Sequence, residues 1–203
     1  MVPRPARSSD VEMVARCITL AFRTDPVWSV ALARPDGDTA NHESYWRLFV
    51  EGALRYGTVH VLDEGAAVSI WLPPNGSELS EAQAEALEAL LVRTLDEPWI
   101  VAIHELYGRF EASRAGQPVS HYYLSLLATH PDHRGRGVGQ ALLAADLARW
   151  DATGVPSYLE STNAVNDHRY ERVGFRPVGG FESVLDGARI TAMWRPVGGR
   201  ETS

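Results

Sequence analysis

The segment from His121 to Gly139, HYYLSLLATHPDHRGRGVG, constrains the fold most strongly, because an apolar run stops at a proline and empties into a glycine-rich loop. Tyr122 to Ala128 is too short for a helix and too rich in leucine and aromatics for a surface, so it reads as a buried strand. Pro131 ends it, having no amide hydrogen and restricting His130 to extended conformations. Arg134 to Gly139 then supplies three glycines, which adopt positive φ readily and let backbone amides crowd around a ligand. Leu142, Leu143, Leu147 and Trp150 follow at helical spacing. The loop therefore sits at a helix N-terminus, where free N–H groups and the macrodipole favour an anion, and Arg134 and Arg136 add positive charge.

Three phosphate-binding patterns compete for this loop, beside the plain reading of a Gly-Arg turn. A nucleotide P-loop is excluded because no Lys-Ser or Lys-Thr follows the glycines. A dinucleotide fingerprint is excluded because its third small residue falls on Gln140 in one register and Leu142 in the other. What remains is R-x-x-G-x-G, Arg134 to Gly139, directly after a strand and a proline.

The rest of the chain fits one domain spanning residues 1–203, long enough to bury a sizeable core. No apolar run approaches a membrane span and the first residues contain no apolar signal core, so a cytoplasmic protein without a membrane partner is expected. A formal charge of −7 argues against nucleic acid and suits a cationic partner. All nineteen basic residues are arginine, which excludes Schiff-base chemistry and a Walker lysine. Cys17 is the single cysteine; it belongs on the packed face of the first helix, and nothing nearby reads as its base.

Ser8-Ser9-Asp10 before Val11, Val14, Ile18 and Phe22 predicts a capped helix ending near Pro26, with a short strand ahead of it. A second helix is expected from Asn41 to Tyr56, stopped by Gly57, with a loop around Arg34 to Asp38 between the two. Thr58–Leu62 and Ala66–Leu72 predict a hairpin around Asp63-Glu64-Gly65. Helices are expected over Ser80–Leu95, where Ser80 and Gln83 suit a capping box, and over Trp99–Ser113. His104-Glu105 does not extend to H-E-x-x-H, because Gly108 stands where the second histidine belongs, so no metal is expected. A strand Ser157–Ser161, a short helix Asn163–Val173 closed by Gly174, a terminal hairpin of Pro177–Leu185 and Ala188–Trp194, and a frayed tail from Val197 complete the reading.

Two motifs in this order, R-x-x-G-x-G and the later LESTNAVNDHRYERVGF from Leu159 to Phe175, resemble the GNAT superfamily of N-acetyltransferases. PDHxGxGxG, GVP, LE-S and YER-GF carry a further resemblance to the puromycin N-acetyltransferase group of actinobacteria, concentrated after residue 120. The resemblance implies an α/β (α+β) fold with a mixed, mostly antiparallel sheet, whose two central strands, Tyr122–Thr129 and Ser157–Ser161, splay apart to admit the pantetheine arm of acetyl-CoA. It implies that backbone groups of Leu127, Ala128 and Thr129 pair with that arm, and that Arg134, Gly135, Arg136, Gly137, Val138, Gly139 and Gln140 hold the pyrophosphate. Asn163 matches the asparagine that many members place near the cofactor, and it equally suits a helix cap.

The implied activity is direct acetyl transfer from acetyl-CoA to a primary amine. Tyr170 matches the family's general acid, since a phenol is protonated at neutral pH. Glu160 is the candidate base, because a charged residue inside a central strand is costly unless used, and it equally suits an ammonium anchor. His130 and His168 are secondary base candidates. Asp167, His168 and Arg169 replace residues that are commonly apolar, and Thr129 replaces a common valine; together with Asp25 before Pro26 these are the expected seats of altered selectivity. The expected acceptor is a small-molecule amine, an aminoacyl-type antibiotic or related metabolite, handled by a monomer or homodimer. A protein N-acetyltransferase and an idle acyl-CoA-binding regulatory module are the alternatives.

Overall fold

A computed structural model of the chain describes residues 2–34, 37–117 and 120–199. The elements in chain order are β1 (Arg4–Pro5), α1 (Val11–Phe22), α2 (Trp28–Ala31), α3 (Ala40–Leu54), β2 (Val59–Leu62), β3 (Ala67–Leu72), α4 (Glu81–Thr94), α5 (Glu97–Ala115), β4 (Tyr122–Thr129), α6 (Val138–Ala152), β5 (Ser157–Ser161), α7 (Asp167–Glu171), β6 (Arg176–Glu182) and β7 (Arg189–Arg195). The strands form one seven-stranded sheet in the order β1-β2-β3-β4-β5-β7-β6. Every neighbouring pair is antiparallel except β4 and β5, which run parallel.

Alternation along the strands distributes side chains to two layers. Val68, Ile70 and Leu72 of β3 join Tyr158 and Ala192 in a core built with α1, α3, α4 and α5. Trp71, Leu124, Leu159 and Met193 point the other way and pack with Leu143, Leu147 and Trp150 of α6 and with Phe175. β3 is buried along its whole length because helices cover both of its faces. The large core of aromatic and branched side chains supplies most of the stabilisation, at roughly 1.5–3 kcal/mol per fully buried large apolar side chain.

Two irregularities shape the centre. The β3–β4 register slips between Ile70 and Trp71, leaving Ser125 as an extra residue in β4. The bulge reverses the alternation, so Leu124 faces the α6 layer while Leu126 faces the α1 layer. Further along, β4 and β5 are paired only at Tyr122–Ser157, Tyr123–Tyr158 and Leu124–Leu159, although β4 runs on to Thr129 and β5 to Ser161. The sheet therefore splits between its two central strands, as the resemblance implies.

Several expectations need correction. The predicted helix Asn163–Val173 is two pieces, a 3₁₀ turn at Ala164–Asn166 and the short α7, because the Asn163 carboxamide accepts the Val165 amide at 3.1 Å and starts a separate turn. Asp10 makes no side-chain cap on α1; it accepts from Arg4 at 2.7 and 2.9 Å and from the Arg7 amide at 2.7 Å, which ties β1 to the helix start. Val197–Gly199 is an ordered turn in which the Gly198 amide reaches Asp151 at 2.8 Å, so the tail does not fray at Val197; residues 200–203 lie outside the described residues, as do 35 and 36 of the expected loop. The four-residue α2 was not anticipated.

Candidate active site

A cavity of about 840 Å³ occupies the split and is lined by Leu124–Leu127 and Thr129 of β4 and Leu159–Ser161 of β5. One wall is the loop ahead of α6. Gly135 and Gly137 have φ of 76° and 74°, and a Cβ at either would meet nothing within 4 Å, so the glycines are required by backbone conformation, and the space beside them is open. No side chain caps the first amides of the fifteen-residue α6. That leaves a helix N-terminus facing the cavity, the arrangement that binds anions. A Cβ on Gly139 would overlap the Thr129 hydroxyl, so this glycine lets the helix start approach β4.

The structure gathers Leu127, Thr129, Arg134, Gly135, Gly137, Val138, Gly139, Gln140, Glu160, Asn163 and Tyr170 around this one cavity. Arg134 also donates to the Ala21 carbonyl at 2.8 Å and so ties the loop to the end of α1. Ala128 is buried with its side chain in the α1 layer, and Arg136 is exposed and does not line the cavity. Arg169 and Arg172 line the cavity along with Arg134 and add positive charge to it. His130 and His168 do not line the cavity. The His130 ring instead accepts the Asp132 amide at 3.3 Å.

The opposite wall comes from the helices of the other layer, with Phe22, Trp28, Trp46, Phe49, Tyr107 and Phe110 at its surface. Trp28 and Phe110 stack at 6.1 Å, and the Tyr45 and Tyr107 hydroxyls pair at 2.5 Å. The acidic groups of the cavity, Asp25, Glu78, Glu111 and Glu160, are set among these rings with Arg114. Arg114 lies over the Tyr123 ring, 4.8 Å from its centre.

Glu160 projects from β5, where its Cα partner is Ala192 of β7. Both carboxylate oxygens are enclosed and accept no hydrogen bond. Burial pushes its pKa up to about 7; the Tyr158 and Tyr123 hydroxyls pull the other way without closing a hydrogen bond of normal geometry. Tyr170, on α7, is held by an edge contact with Phe175 at 6.1 Å, and burial followed by the charges of Asp25 and Asp167 raises its pKa, keeping the phenol protonated. Asp25 is fully engaged: it accepts the Val27 and Trp28 amides at 3.0 Å each and the Thr162 hydroxyl at 2.7 Å, fixing the start of α2 to the end of β5.

Residues with competing readings resolve into structural roles. Cys17 is buried in α1, and burial pushes its thiol up to about 12, which removes thiolate chemistry. His104 contacts Glu88 at 2.9 Å and Glu105 pairs with Arg109 at 2.6 Å, both on the surface. Among the described residues no group of three His, Cys, Asp or Glu could hold a metal ion, and no helix is long and apolar enough to cross a membrane. Sequence reasoning passed over Glu78 and Arg114 in the cavity, because the first sits in a polar loop and the second near a helix end, both ordinary places for solvated charge.

Residues 95–177 match the model of the acetyltransferase (GNAT) domain. The whole chain superposes on solved structures of acetyltransferases. One from Corynebacterium glutamicum, described as histone acetyltransferase HPA2 and related acetyltransferase, is 27% identical with a TM-score of 0.68 over 97% of each chain. Arylalkylamine N-acetyltransferase 2 from Aedes aegypti is 15% identical with a TM-score of 0.64, over 97% of this chain and 98% of that one. A polyamine N-acetyltransferase of Drosophila melanogaster, which forms N-acetylagmatine, is 16% identical with a TM-score of 0.63, over 95% and 96%. The mixed α/β sheet flanked by helices is the GNAT fold, and the protein is an acyl-CoA-dependent transferase.

Proposed function

We propose that the protein transfers an acetyl group from acetyl-CoA directly to the primary amine of a small molecule. The observation that carries this reading is the split sheet, with an uncapped helix start and Arg134 at one wall of the cavity and, on β5, an enclosed carboxylate, Glu160, that accepts no hydrogen bond. The residues fit acetyl-CoA. Arg134 to Gln140 would hold the pyrophosphate, and Leu127, Ala128 and Thr129, where β4 has lost its β5 neighbour, offer backbone groups to the pantetheine arm, with Asn163 nearby.

The bound cosubstrate supplies a thioester-activated acetyl group. The acceptor enters as an ammonium and must lose a proton before its nitrogen can attack. Glu160 takes that proton, its raised pKa keeping it basic enough to do so near neutrality. Tyr170, held protonated by burial, gives its proton to the departing sulfur. The C–S bond breaks as the C–N bond forms, and the acylated nitrogen releases its second proton, which restores the Tyr170 phenol and leaves an amide and a thiol.

A small amine is supported by the acceptors of the Aedes and Drosophila enzymes and by the acidic, aromatic wall. The resemblance to the puromycin group supports an aminoacyl-type antibiotic or related metabolite within that class. Likeness to the Corynebacterium protein favours peptide lysine as a second reading. Labelled acetyl-CoA offered with puromycin, arylalkylamines, agmatine and lysine-bearing peptides separates them. The chain has no lysine, so self-acetylation at lysine cannot obscure the result. Turnover of small amines is expected; labelling of peptides alone would point to protein modification, and binding without release of thiol to a regulatory module.

A further inference from the structure

We propose that Glu78 is the carboxylate that binds the acceptor's ammonium beside Glu160, and that Ser77–Leu79 is built to present it. The proposal rests on the amine-acetyltransferase reading above. Glu78 lies in PPNGSELS, a stretch without helix or strand, where a glutamate would ordinarily be solvated.

Contacts from the end of α3 and from β4 fix it instead. Arg55, at the end of α3, donates to the Gly52 carbonyl at 2.6 Å, and to the Ser77 carbonyl and hydroxyl at 2.6 and 2.8 Å. The Tyr56 hydroxyl accepts the Ser77 amide at 3.0 Å. A Cβ on Gly52 would overlap the Glu78 carbonyl oxygen, so α3 carries a glycine where this loop crosses it. Ser125 donates its hydroxyl to the Glu78 carboxylate. Ser125 is the extra residue of the β4 bulge, and re-aiming a side chain is what such a bulge does. The central strand thus departs from regular pairing at the residue that holds Glu78.

The second observation comes from the facing strand. Both Glu160 oxygens are enclosed and accept no hydrogen bond, and the residue lines the same cavity. The charges of both carboxylates act on the Tyr123 hydroxyl and that of Glu78 acts on Glu160, so the two are neighbours along the one cavity that both line. A base that is to receive a proton loses its charge on doing so, and cannot alone hold the cation through the transfer. A second, fixed carboxylate can. An ammonium has three N–H donors, and Glu78 retains acceptor capacity after the bond from Ser125. Of the other charges that line the cavity, Asp25 already accepts three hydrogen bonds, Glu111 is exposed, and Arg114 stacks on Tyr123, from where its charge favours the ionised form of both carboxylates.

The test uses an amine that the wild-type enzyme acetylates. Steady-state kinetics at saturating acetyl-CoA are run with calorimetric binding of the amine to enzyme loaded with CoA. Glu78→Gln should raise KM and Kd for the amine roughly ten- to a hundredfold, the worth of a charge-assisted hydrogen bond, with kcat within a fewfold and acetyl-CoA affinity unchanged. Glu78→Asp should recover part of the loss, and Ser125→Ala should show a smaller rise. Unchanged KM and Kd in folded Glu78→Gln overturns the proposal while leaving the enzyme reading intact, as does a fall in kcat alone. Should Glu78→Gln not fold by circular dichroism, Ser125→Ala decides, and wild-type amine affinity there overturns it. A wild-type enzyme that neither binds nor acetylates any amine removes the underlying reading, and this proposal with it.

Discussion

At the scale of single residues, Glu160 carries the sharpest consequence, because its carboxylate is enclosed without a hydrogen-bond donor and burial moves its pKa from 4.5 to about 7. With Glu160 as base, kcat/KM should fall as pH drops through about 7, where the carboxylate protonates. Glu160→Gln should abolish that limb and lower kcat by about 10²–10⁴-fold. Stability gives a separate reading. The folded pKa exceeds the unfolded one, so the native state holds a proton that the unfolded chain has already released between about 4.5 and 7. The group's contribution is greatest below that window and is lost as pH rises through it. Glu160→Gln should therefore melt higher than wild type at pH 8 and close to it at pH 4, by thermal unfolding. Tyr170→Phe should reduce kcat roughly ten- to a thousandfold with acetyl-CoA affinity nearly retained; wild-type turnover would remove Tyr170 from the mechanism. Both residues line the cavity and both stand out in sequence, because each offends a local rule or completes a motif, a charge in a central strand and a tyrosine after an asparagine. Glu78 offends none, and only the fold shows that its loop is pinned inward.

At the scale of elements, the strand, glycine loop and helix beginning at Tyr122 were legible almost to the residue, because proline and positive-φ glycines punctuate them. The β4 bulge was not, since its cause is the pairing with β3, which a local pattern of leucines does not record. Nor was the element that joins α6 to the sheet. Asp146 is fully buried and accepts from Ser69 at 2.6 Å, Trp71 at 3.0 Å and Arg149 at 2.9 Å, with the His60 ring 2.9 Å away. In sequence it is one polar residue on a helix. Asp146→Ala would strand the buried Ser69 and Trp71 donors, at about 1–3 kcal/mol each, and should cost about 2–5 kcal/mol in urea unfolding. In the glycine loop, Gly137→Glu places strain, bulk and negative charge at a φ of 74°. It should abolish acetyl-CoA binding by calorimetry without unfolding the protein, and unchanged affinity would remove the loop from the cosubstrate site.

At the scale of the whole molecule, the decisive feature is that the sheet is nearly two sheets. β1–β4 and β5–β7 meet through three residue pairs, after which the central strands part. Beyond that junction the two halves touch across the cavity through side chains such as Thr162 on Asp25. A ligand seated in the split would contact both halves at once, and whatever binds the native state alone stabilises it by mass action. CoA at about a hundred times its Kd should therefore add about 2.7 kcal/mol to the unfolding free energy, which for a chain of this size corresponds to a rise of roughly 5–10 °C in Tm. The gain should be local as well as global. Within residues 125–129, the amides on the side of β4 that β5 leaves open should exchange more slowly once CoA is bound, whereas those of Val59–Leu62, paired with β3 along their length, should change little. Gly137→Glu should lose both effects. A Tm that rises with CoA while exchange at 125–129 stays as in the free protein would place the ligand outside the split.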